Sequence, residues 1–271
     1  MTQPTTQPTS RPRLVATDLD GTLVRSDGTV SPRTAEVLAA LDASGVPVVF
    51  VTARPLRWME QIWPMVGAHG IAVVSNGAVL YDVTHREVRE VRGLGAREGL
   101  AVVQAIAAAV PSATFAIECV DGLRVDERFV DVDGAGEETA RGPLAELWTA
   151  PAVKLLVREL DADPAELRRL VGDAVGEAAV PTWSVDHLIE ISAPGVTKAA
   201  TLARVAAELG VAARDVVAFG DMPNDLPMLA WAGTPYAVAN AHPDVLRAAG
   251  RVAPSNDEDG VARILEGIYG L

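Results

Sequence analysis

Short runs of β-branched and other apolar residues alternate along the chain with Ala- and Leu-rich segments of helical period. The runs are Leu14 to Thr17, Pro47 to Val51, Ile71 to Val74, Val216 to Phe219 and Tyr236 to Ala239. Apolar runs separated by helical segments are typical of a parallel sheet that is covered by helices. The pattern therefore predicts an α/β fold.

Polar residues follow the ends of these predicted strands. Asp18, Thr52, Asn76, Asp221 and Asn240 each lie within two residues of the end of a run. The carboxyl ends of parallel strands meet at one edge of a sheet, and ligands bind there because the loops diverge around a crevice. We therefore expect the functional residues at this edge.

Three helices have recognisable starts. Ser31 and Pro32 supply an N-cap and a first-turn proline for a helix that ends at Gly45. The sequence from Asp163 to Glu166 resembles a capping box, and Thr197 is placed to cap a helix that runs to Gly210.

The middle of the chain has a different pattern, that of a mixed α+β unit. It contains a candidate hairpin, a long helix, two further strands and the helix capped by Asp163. These are Glu87 to Arg92, Ala96 to Val110, Phe115 to Glu118, Val153 to Val157 and Asp163 to about Ala178. We therefore infer that a second domain is inserted into the first.

The boundaries expected from these patterns divide the chain into four pieces. The first domain comprises residues 14–84 and 187–271, and the inserted α+β domain comprises residues 85–186. Residues 1–13, rich in Thr, Pro and Gln, are expected to form a disordered tail. The acidic, glycine-bearing stretch from Asp131 to Glu138 is expected to be a flexible connection within the insert.

Composition and charge exclude several classes of function. The chain has 271 residues, 49% of them hydrophobic, and its 36 Asp+Glu exceed its 23 Lys+Arg to give a net charge of −13. That excess argues against binding to nucleic acid or to an anionic membrane surface. Cys119 is the only cysteine, and no apolar run approaches the length of a membrane helix. We expect a cytoplasmic protein with a small-molecule partner, while the sequence leaves the oligomeric state open.

Four motifs combine the strand-end residues with further polar positions. They are DLDGTL at 18–23, TARP at 52–55, GVTK at 195–198 and GDMPNDLPML at 220–229. In this order and spacing they resemble the haloacid dehalogenase superfamily, in particular its Cof-like branch, which has a large class-two cap between the second and third motifs. Ala53 stands where a glycine is usual, and Met222 and Pro223 fill a variable pair.

The resemblance implies a Rossmann-like core, Mg²⁺ dependence and hydrolysis of phosphate monoesters through an aspartyl-phosphate. The chemistry of the residues agrees, because Asp18 can attack phosphorus and Mg²⁺ prefers oxygen ligands such as those of Asp18 and Asp221. The resemblance adds the main-chain carbonyl of Asp20 as a third metal ligand. It also makes the Asp20 side chain the group that protonates the leaving oxygen and then deprotonates water.

Thr52 and Lys198 are the candidate partners of the phosphoryl oxygens, because phosphoryl transfer is catalysed mainly by positioning and electrostatic stabilisation. A cation in the first turn of a helix opposes the helix dipole by about 0.3–1 kcal/mol. Lys198, one of only two lysines in the chain, therefore indicates an anionic ligand. Asn224 and Asp225 are candidate caps of the helix that follows, and Asn224 is also a candidate substrate contact. By resemblance Asp225 orients Lys198 or a metal-bound water.

Other residues have two interpretations each. Asn76 and Gly77 resemble a substrate-facing turn of the family, but Asn-Gly is also an ordinary hairpin turn. Arg54 either binds substrate or pairs with a surface carboxylate. Lys154 either contacts the leaving group or, as the pattern favours, faces outward from its strand.

Three more side chains are expected to pack. Trp58 and Trp63 lie five residues apart after Thr52, a spacing that favours packing over a platform for stacking a sugar. Cys119 is expected to be an inert apolar filler of the insert.

The favoured hypothesis is a Mg²⁺-dependent phosphatase that acts on a small phosphorylated metabolite, with sugar phosphates as the leading class. A phosphomutase on the same scaffold and a non-catalytic phospho-switch or metabolite-binding protein are the alternatives. Asp20 argues against a switch, since a positioned acid and base would speed the loss of the phosphoryl group.

Overall fold

The computed structural model describes residues 11–66, 70–130 and 139–271. The expected flexible connection at residues 131–138 and the first ten residues of the expected tail lie outside the described residues. Pro12 and Arg13, also assigned to the tail, are instead held by the C-terminal part of the chain. The Tyr269 hydroxyl donates to the Pro12 carbonyl (2.9 Å) and the Arg13 N–H donates to the Asp215 carbonyl (2.7 Å). The part of the chain that is bound to the first domain therefore includes Pro12 and Arg13, which were expected to belong to the tail.

Strands and helices alternate through most of the described residues. The strands are β1 (Leu14–Thr17), β2 (Val48–Val51), β3 (Ile71–Val74), β4 (Val79–Asp82), β5 (Glu87–Val91), β6 (Thr114–Cys119), β7 (Gly122–Val125), β8 (Ala140–Arg141), β9 (Lys154–Arg158), β10 (Val180–Val185), β11 (Leu188–Ser192), β12 (Val216–Gly220), β13 (Thr234–Val238) and β14 (Val252–Ala253). The α-helices are α1 (Pro32–Ala43), α2 (Trp63–Val66), α3 (Ala96–Ala109), α4 (Leu144–Leu147), α5 (Pro164–Val175), α6 (Lys198–Glu208), α7 (Leu226–Trp231), α8 (Pro243–Ala249) and α9 (Gly260–Tyr269).

Eight strands of the described residues form one sheet, and this sheet with its helices is the larger part of the molecule, which we call the core. Its strand order is β14-β13-β12-β1-β2-β3-β4-β5. The strands from β14 to β3 are parallel, whereas β4 and β5 are antiparallel to their neighbours. Because β1 lies between β12 and β2, the segments that follow these three strands meet at one edge of the sheet. The mainly parallel sheet confirms the predicted α/β class.

Helices cover both faces of this sheet. Leu14, Val15 and Ala16 are consecutive and fully buried, which requires cover on both sides of β1. Phe50 and Phe219 on the neighbouring strands are also among the largest fully buried side chains. The strand ends near β1 are therefore held by a rigid, closely packed scaffold.

The three predicted helix caps are confirmed. The side chains of Ser31, Asp163 and Thr197 each accept a hydrogen bond from a backbone N–H in the first turn of α1, α5 and α6. Since Thr197 caps α6, the helix begins with Lys198 at its first position.

In the described part of the chain, six further strands form a second sheet, which together with α3, α4 and α5 makes up what we call the cap. Its order is β10-β11-β9-β6-β7-β8, and it is antiparallel except for the pairing of β7 with β8. Ile106 of α3 and Val171 of α5 share a hydrophobic cluster with Leu155 and Val157 of β9. The helices of the cap therefore cover one face of its sheet.

The change from one sheet to the other does not fall at the boundaries expected from the sequence. β5 lies beyond residue 84 but pairs with β4 of the core sheet, and β11 lies beyond residue 186 but pairs with β9 and β10 of the cap sheet. The sheets thus change after Val91 and after Ser192. Ile189 and Ile191 explain the second difference, because both are buried in the hydrophobic cluster of the cap.

Candidate active site

The first and fourth sequence motifs meet because the strands before them are neighbours. Thr17 at the end of β1 is in register with Phe219 of β12, and the Asp18 N–H donates to the Phe219 carbonyl (3.0 Å). Asp18 and Asp221 therefore emerge side by side at the carboxyl edge of the core sheet.

Lys198 lies between two carboxylates at the start of α6. Its Nζ is 2.8 Å from Asp18 Oδ1 and 2.7 Å from Asp225 Oδ1, and its side chain is 2% exposed. Burial by itself lowers the pKa of Lys198, but Asp18 and Asp225 outweigh that effect and raise the pKa above its ordinary value. The ammonium group therefore stays charged and anchors the cluster.

Asp18 and Asp221 lie in a place that disfavours negative charge on their carboxyl groups. Burial raises the pKa of Asp18 well above its ordinary value. Lys198 lowers this pKa in part, and the Asp225 and Asp221 carboxylates raise it further. Burial and the Asp225 carboxylate raise the pKa of Asp221 to about 6. Two carboxylates with raised pKa values beside a third form a site that a further positive charge would stabilise.

This cluster fits a hard divalent cation. One oxygen from each of Asp18, Asp221 and Asp225 can be chosen so that all three lie within 4.8 Å of one another, and all three residues are buried. Carboxylate oxygens are the ligands that Mg²⁺ and similar cations prefer. The described residues therefore offer an acidic cluster able to hold a metal.

Asp225 is less available to a cation than the other two carboxylates. Its Oδ1 accepts from Lys198, and its Oδ2 accepts the N–H groups of Asp221 and Met222 at 3.0 Å each. Asp221 Oδ1 accepts the Thr22 hydroxyl (2.8 Å). Asp225 thus fixes the loop that carries Asp221 while it positions Lys198.

Gly21 allows the first motif to approach the fourth. Its φ is +74°, and a Cβ built on it would lie 2.5 Å from Asp221 Oδ2. The nearby Asn240 supports the same turn, because its Nδ2 donates to the Gly21 carbonyl at 2.7 Å. Glycine at this position lets the two motifs share one site.

Asp20 points away from the buried cluster and pairs with Arg54. The Arg54 Nε donates to Asp20 Oδ2 (2.7 Å) and its Nη2 donates to Oδ1 (2.6 Å). The Asp20 side chain is 55% exposed. Of the two interpretations of Arg54, the structure therefore shows an ion pair, and its partner belongs to the first motif.

Thr52 is buried beneath Arg54. Its hydroxyl oxygen accepts the Arg54 N–H (3.0 Å), and its own N–H donates to the Val73 carbonyl (2.8 Å). These bonds hold Thr52 at the end of β2. There it lines a cavity together with Asp18 and Lys198.

Asn76 connects the core with the cap. Its Nδ2 donates to Glu190 Oε2 (2.8 Å) and to Thr182 Oγ1 (3.2 Å), and its Oδ1 accepts from Asn224 Nδ2 (3.2 Å). Asn76 has a φ of +55°, a conformation that asparagine tolerates better than most residues. The amides of Asn76 and Asn224 are thus joined to each other, and Asn76 also binds the cap.

Gly77 is required by the approach of α6. Its φ is +103°, and a Cβ would lie 2.4 Å from the Thr197 carbonyl oxygen. The Gly77 carbonyl also accepts the Thr201 hydroxyl (2.8 Å). Neither Asn76 nor Gly77 is among the described residues that line the cavity, whereas Arg54 and Asn224 are.

A cavity of about 580 Å³ lies between core and cap. Core residues of the motifs form its floor and cap residues form its opposite wall. The lining includes Asp18, Asp20, Thr52, Arg54, Trp58, Lys154, Ser184, Val185, Glu190, Lys198, Asp221 and Asn224. The structure therefore brings the predicted catalytic and metal-binding residues to one cavity, with Asp225 buried behind Lys198.

The favoured interpretation of Lys154 as an outward-facing side chain is wrong. Lys154 is buried on β9, lines the cavity and forms an ion pair with Glu190 of β11. Glu190 is not among the residues expected from the sequence to belong to the site. A signal was present, since an acidic residue between Ile189 and Ile191 shows that one face of β11 is polar.

Trp63 and Cys119 are packed as expected, whereas Trp58 is not. Trp63 packs on Tyr81 with ring centroids 5.6 Å apart, as expected, but Trp58 is 38% exposed and lines the cavity. Cys119 is buried in the cap, and burial raises its pKa to about 11, which agrees with an inert role.

A family model described as haloacid dehalogenase-like hydrolase matches residues 15–265. The chain is 28% identical to a Bacillus subtilis protein named 5-amino-6-(5-phospho-D-ribitylamino)uracil phosphatase, over 97% of this chain and 99% of that protein. It is 27% identical to a phosphoglycolate phosphatase of Methanothermobacter thermautotrophicus, over 95% and 99% of the two chains.

The fold also matches solved structures. A crystal structure of a Streptococcus mutans protein superposes with a TM-score of 0.83 at 22% identity and covers 96% of this chain and all of that one. In the part of the chain that is described, no helix has the length and apolar character needed to span a bilayer.

Proposed function

Because the chain belongs to the haloacid dehalogenase-like hydrolase family, we propose that it is a Mg²⁺-dependent phosphatase that hydrolyses a small phosphomonoester through an aspartyl-phosphate. The observation that carries this proposal is the placement of Lys198 between Asp18 and Asp225, beside Asp221, in one cavity. Membership of the family confirms the resemblance indicated by the four motifs.

The residues that would hold Mg²⁺ are Asp18 and Asp221, with the main-chain carbonyl of Asp20 added by the family resemblance. When bound, the cation offsets the negative charge of the carboxylates and of the phosphate, so that the two can approach. Asp18 is then free to present its second oxygen to phosphorus.

In the proposed first step, an Asp18 carboxylate oxygen attacks phosphorus and the bond from phosphorus to the ester oxygen breaks. Arg54 turns from Asp20 to the substrate, the protonated Asp20 carboxyl gives its proton to that oxygen, and the alcohol leaves. In the second step water attacks the phosphorus of the aspartyl-phosphate, Asp20 takes a proton from that water, and inorganic phosphate is released. The exposed position of Asp20 at the cavity rim suits a group that meets both the leaving alcohol and the water.

Lys198 and Thr52 would bind the phosphoryl oxygens during both steps. Lys198 is pre-positioned by Asp225, so little reorganisation is needed as charge moves onto these oxygens. We propose a positioning role for Asp225 and substrate contacts for Arg54 and Asn224. Asn76 and Gly77 would act on the substrate indirectly, through the cap contact and through α6.

The printed names of the relatives support the phosphatase reaction but differ in the leaving group. One name specifies a ribitylaminouracil and the other a glycolate. We therefore propose hydrolysis of a phosphomonoester as the reaction. Sugar phosphates are the first substrate class to test. The proposed location is the cytoplasm, in keeping with a single buried cysteine.

A phosphate-release screen in ¹⁸O-labelled water tests the proposal. We expect the purified protein with Mg²⁺ to release phosphate that carries one labelled oxygen, and we expect a chelator to abolish release. Isomerised sugar phosphate without labelled phosphate would indicate the phosphomutase alternative. No turnover of any phosphomonoester in a broad panel would contradict the proposal.

A further inference from the structure

Asp20 lies in a turn that is closed by its own backbone. The Leu19 carbonyl accepts the N–H groups of residues 22–24, at 3.2, 2.9 and 2.8 Å. We call residues 19–24 the Asp20 turn. Gly21, inside this turn, has a φ of +74° and no side chain, so it restrains the backbone less than any other residue type would. The position of Asp20 therefore depends on what holds the turn from outside.

Two asparagines from the C-terminal part of the chain bind the Asp20 turn. Asn240, two residues beyond β13, donates from Nδ2 to the Gly21 carbonyl (2.7 Å). Asn256 lies between β14 and α9 and donates from Nδ2 to the Val24 carbonyl (3.0 Å). Its side chain is buried, since the residue is 4% exposed. One bond reaches the middle of the turn and the other reaches its end, so together they fix its orientation.

Asn240 and Asn256 also bind each other. The Asn256 N–H donates to Asn240 Oδ1 (3.0 Å). A backbone N–H can only donate and a backbone carbonyl can only accept, so these partners determine which way the Asn240 amide faces. A carboxylate at this place would lack the donor for the Gly21 carbonyl. The two asparagines therefore act as one unit, which we call the asparagine clasp.

The asparagine clasp matters most when Arg54 leaves Asp20. In the structure Arg54 binds both carboxylate oxygens of Asp20, whose side chain is 55% exposed. In the proposed first step Arg54 turns to the substrate, and the Asp20 side chain loses both bonds. The place of its carboxyl group at the cavity then depends on the backbone of the Asp20 turn. A displacement of about 1 Å can lower the rate of a chemical step by about 100-fold.

Asp257, the next residue after Asn256, binds a different part of the chain. Its two carboxylate oxygens accept the N–H and the hydroxyl of Ser26, at 2.8 Å each. Ser26 lies beyond the end of the Asp20 turn, and both bonds are exposed to solvent. Replacing Asp257 therefore removes two hydrogen bonds of the same segment while the bonds of the clasp stay in place.

We propose that Asn240 and Asn256 are positioning residues for the acid and base of the reaction. The asparagine clasp holds the Asp20 turn, so that the Asp20 carboxyl group stays in reach of the leaving oxygen after Arg54 has turned away. This inference rests on the proposed phosphatase function and adds to it two residues from outside the four motifs.

Two aryl phosphates distinguish a displaced acid from a general loss of activity. When Asp18 attacks 2,4-dinitrophenyl phosphate, the bond from phosphorus to the aryl oxygen breaks and the phenolate leaves as a stable anion without a proton. Phenyl phosphate has a more basic leaving oxygen, which needs the proton of Asp20. Rapid mixing with excess enzyme and Mg²⁺ measures this first step as release of the phenol.

We expect Asn240→Ala to slow the first step about 100-fold with phenyl phosphate and by less than about threefold with 2,4-dinitrophenyl phosphate. Asn240 is exposed, so the variant should fold. Asp257→Ala is the matched control, and we expect both of its rates to stay within about twofold of wild type. Equal losses with the two substrates in Asn240→Ala, or no loss with either, would overturn the inference.

The second step gives an independent readout. Attack of water on the aspartyl-phosphate needs Asp20 as base, so the phosphoryl group on Asp18 should persist about 100-fold longer in Asn240→Ala than in wild type. Mass spectrometry of samples quenched in acid at successive times after mixing with 2,4-dinitrophenyl phosphate measures this lifetime. An unchanged lifetime would count against a positioning role and overturn the inference.

Asn256→Ala tests the other half of the clasp. The buried Val24 carbonyl loses its donor in this variant, so urea titration should show a lower free energy of unfolding. At a temperature at which the variant is folded, we expect the same selective loss with phenyl phosphate, and an unselective loss would contradict the joint role of the two asparagines.

Activity of the wild-type protein separates this inference from the proposed function. If wild-type protein with Mg²⁺ releases phosphate from neither aryl phosphate, the phosphatase proposal fails and the inference fails with it. If wild-type protein turns over both compounds and Asn240→Ala loses activity equally with both, the positioning role alone is overturned.

Discussion

Lys198 is a buried cation held by two carboxylates at the first position of α6. A lysine at a helix N-terminus is locally unfavourable, yet Asp18 and Asp225 lie 2.8 and 2.7 Å from its Nζ. Its charge therefore lowers the energy of Asp18 as the proposed nucleophile and remains directed at the place where phosphoryl oxygens would bind.

Replacing Lys198 by methionine should remove this function without a large change in side-chain volume. We expect kcat for phosphate release to fall by about 1,000-fold, because the charge that stabilises the transition state is lost. Arg204→Met on the same helix is the control, since Arg204 pairs with Glu90 at the surface and should change kcat by less than about twofold. A Lys198→Met enzyme with more than a tenth of wild-type kcat would contradict this role.

The sequence predicted Lys198 but not the position of Lys154, for a physical reason. Lys198 belongs to a motif at a helix start, where a cation is locally unfavourable and so demands a partner. Lys154 lies in a strand, and its direction depends on which face of the cap sheet the core covers. That choice is made by tertiary packing, which also determines that Glu190 is its partner.

At the scale of elements, the approach of α6 to the turn after β3 positions Lys198. Gly77 has a φ of +103°, and a Cβ there would overlap the Thr197 carbonyl oxygen at 2.4 Å. The turn and the helix can be this close only when residue 77 has no side chain.

Gly77→Ala should therefore displace the start of α6. We expect a loss of about 3 kcal/mol in the free energy of unfolding, measured by urea titration, together with lower kcat. Gly28→Ala is the matched control, because Gly28 also has a positive φ (+81°) but nothing within 4 Å of its Cβ position. That variant should lose about 1 kcal/mol. Equal losses would show that close approach to α6 is unimportant.

Local patterns predicted element types better than they predicted which sheet each strand joins. The caps at Ser31, Asp163 and Thr197 depend on a few adjacent residues, and all three are present. β5 pairs with the adjacent β4 of the core, whereas β11 pairs with the adjacent β10 and the more distant β9 of the cap. Alternating patterns do not encode which of the two sheets a strand joins, so the expected boundaries at residues 84 and 186 differ from the observed changes of sheet.

The whole molecule has a net charge of −13, and this charge coexists with a proposed binding site for a phosphate group. Part of this charge is concentrated in the buried carboxylates of Asp18, Asp221 and Asp225. A divalent cation and Lys198 together can reverse the local field there. Net charge therefore argues against a broad polyanion surface and leaves room for a single phosphate group.

The free energy of unfolding should depend on pH because these carboxyl groups are buried close together. The pKa of Asp221 rises from its ordinary 3.8 to about 6 in the folded, metal-free protein. The folded state therefore holds this proton more tightly than the unfolded state. Its contribution to the free energy of unfolding is fully present below about pH 4 and is lost as the pH rises through about 6.

Mg²⁺ should oppose this loss at neutral pH. At about one hundred times its dissociation constant, we expect Mg²⁺ to raise Tm at pH 7 by about 5 °C. Asp221→Asn should abolish most of the Mg²⁺ effect and reduce the decline of Tm between pH 4 and pH 6, as measured by differential scanning calorimetry. An unchanged response to Mg²⁺ in Asp221→Asn would exclude Asp221 as a ligand.

A covalent phosphoryl group on Asp18 is the decisive step of the proposed reaction, and mass spectrometry of acid-quenched enzyme during turnover of a phosphomonoester with Mg²⁺ detects it. We expect one phosphoryl group on the peptide that contains Asp18 in the wild-type enzyme. We expect no such adduct in Asp18→Asn, with phosphate release lower by at least about 1,000-fold. Full phosphate release by Asp18→Asn, or an adduct on another residue, would rule out Asp18 as the nucleophile.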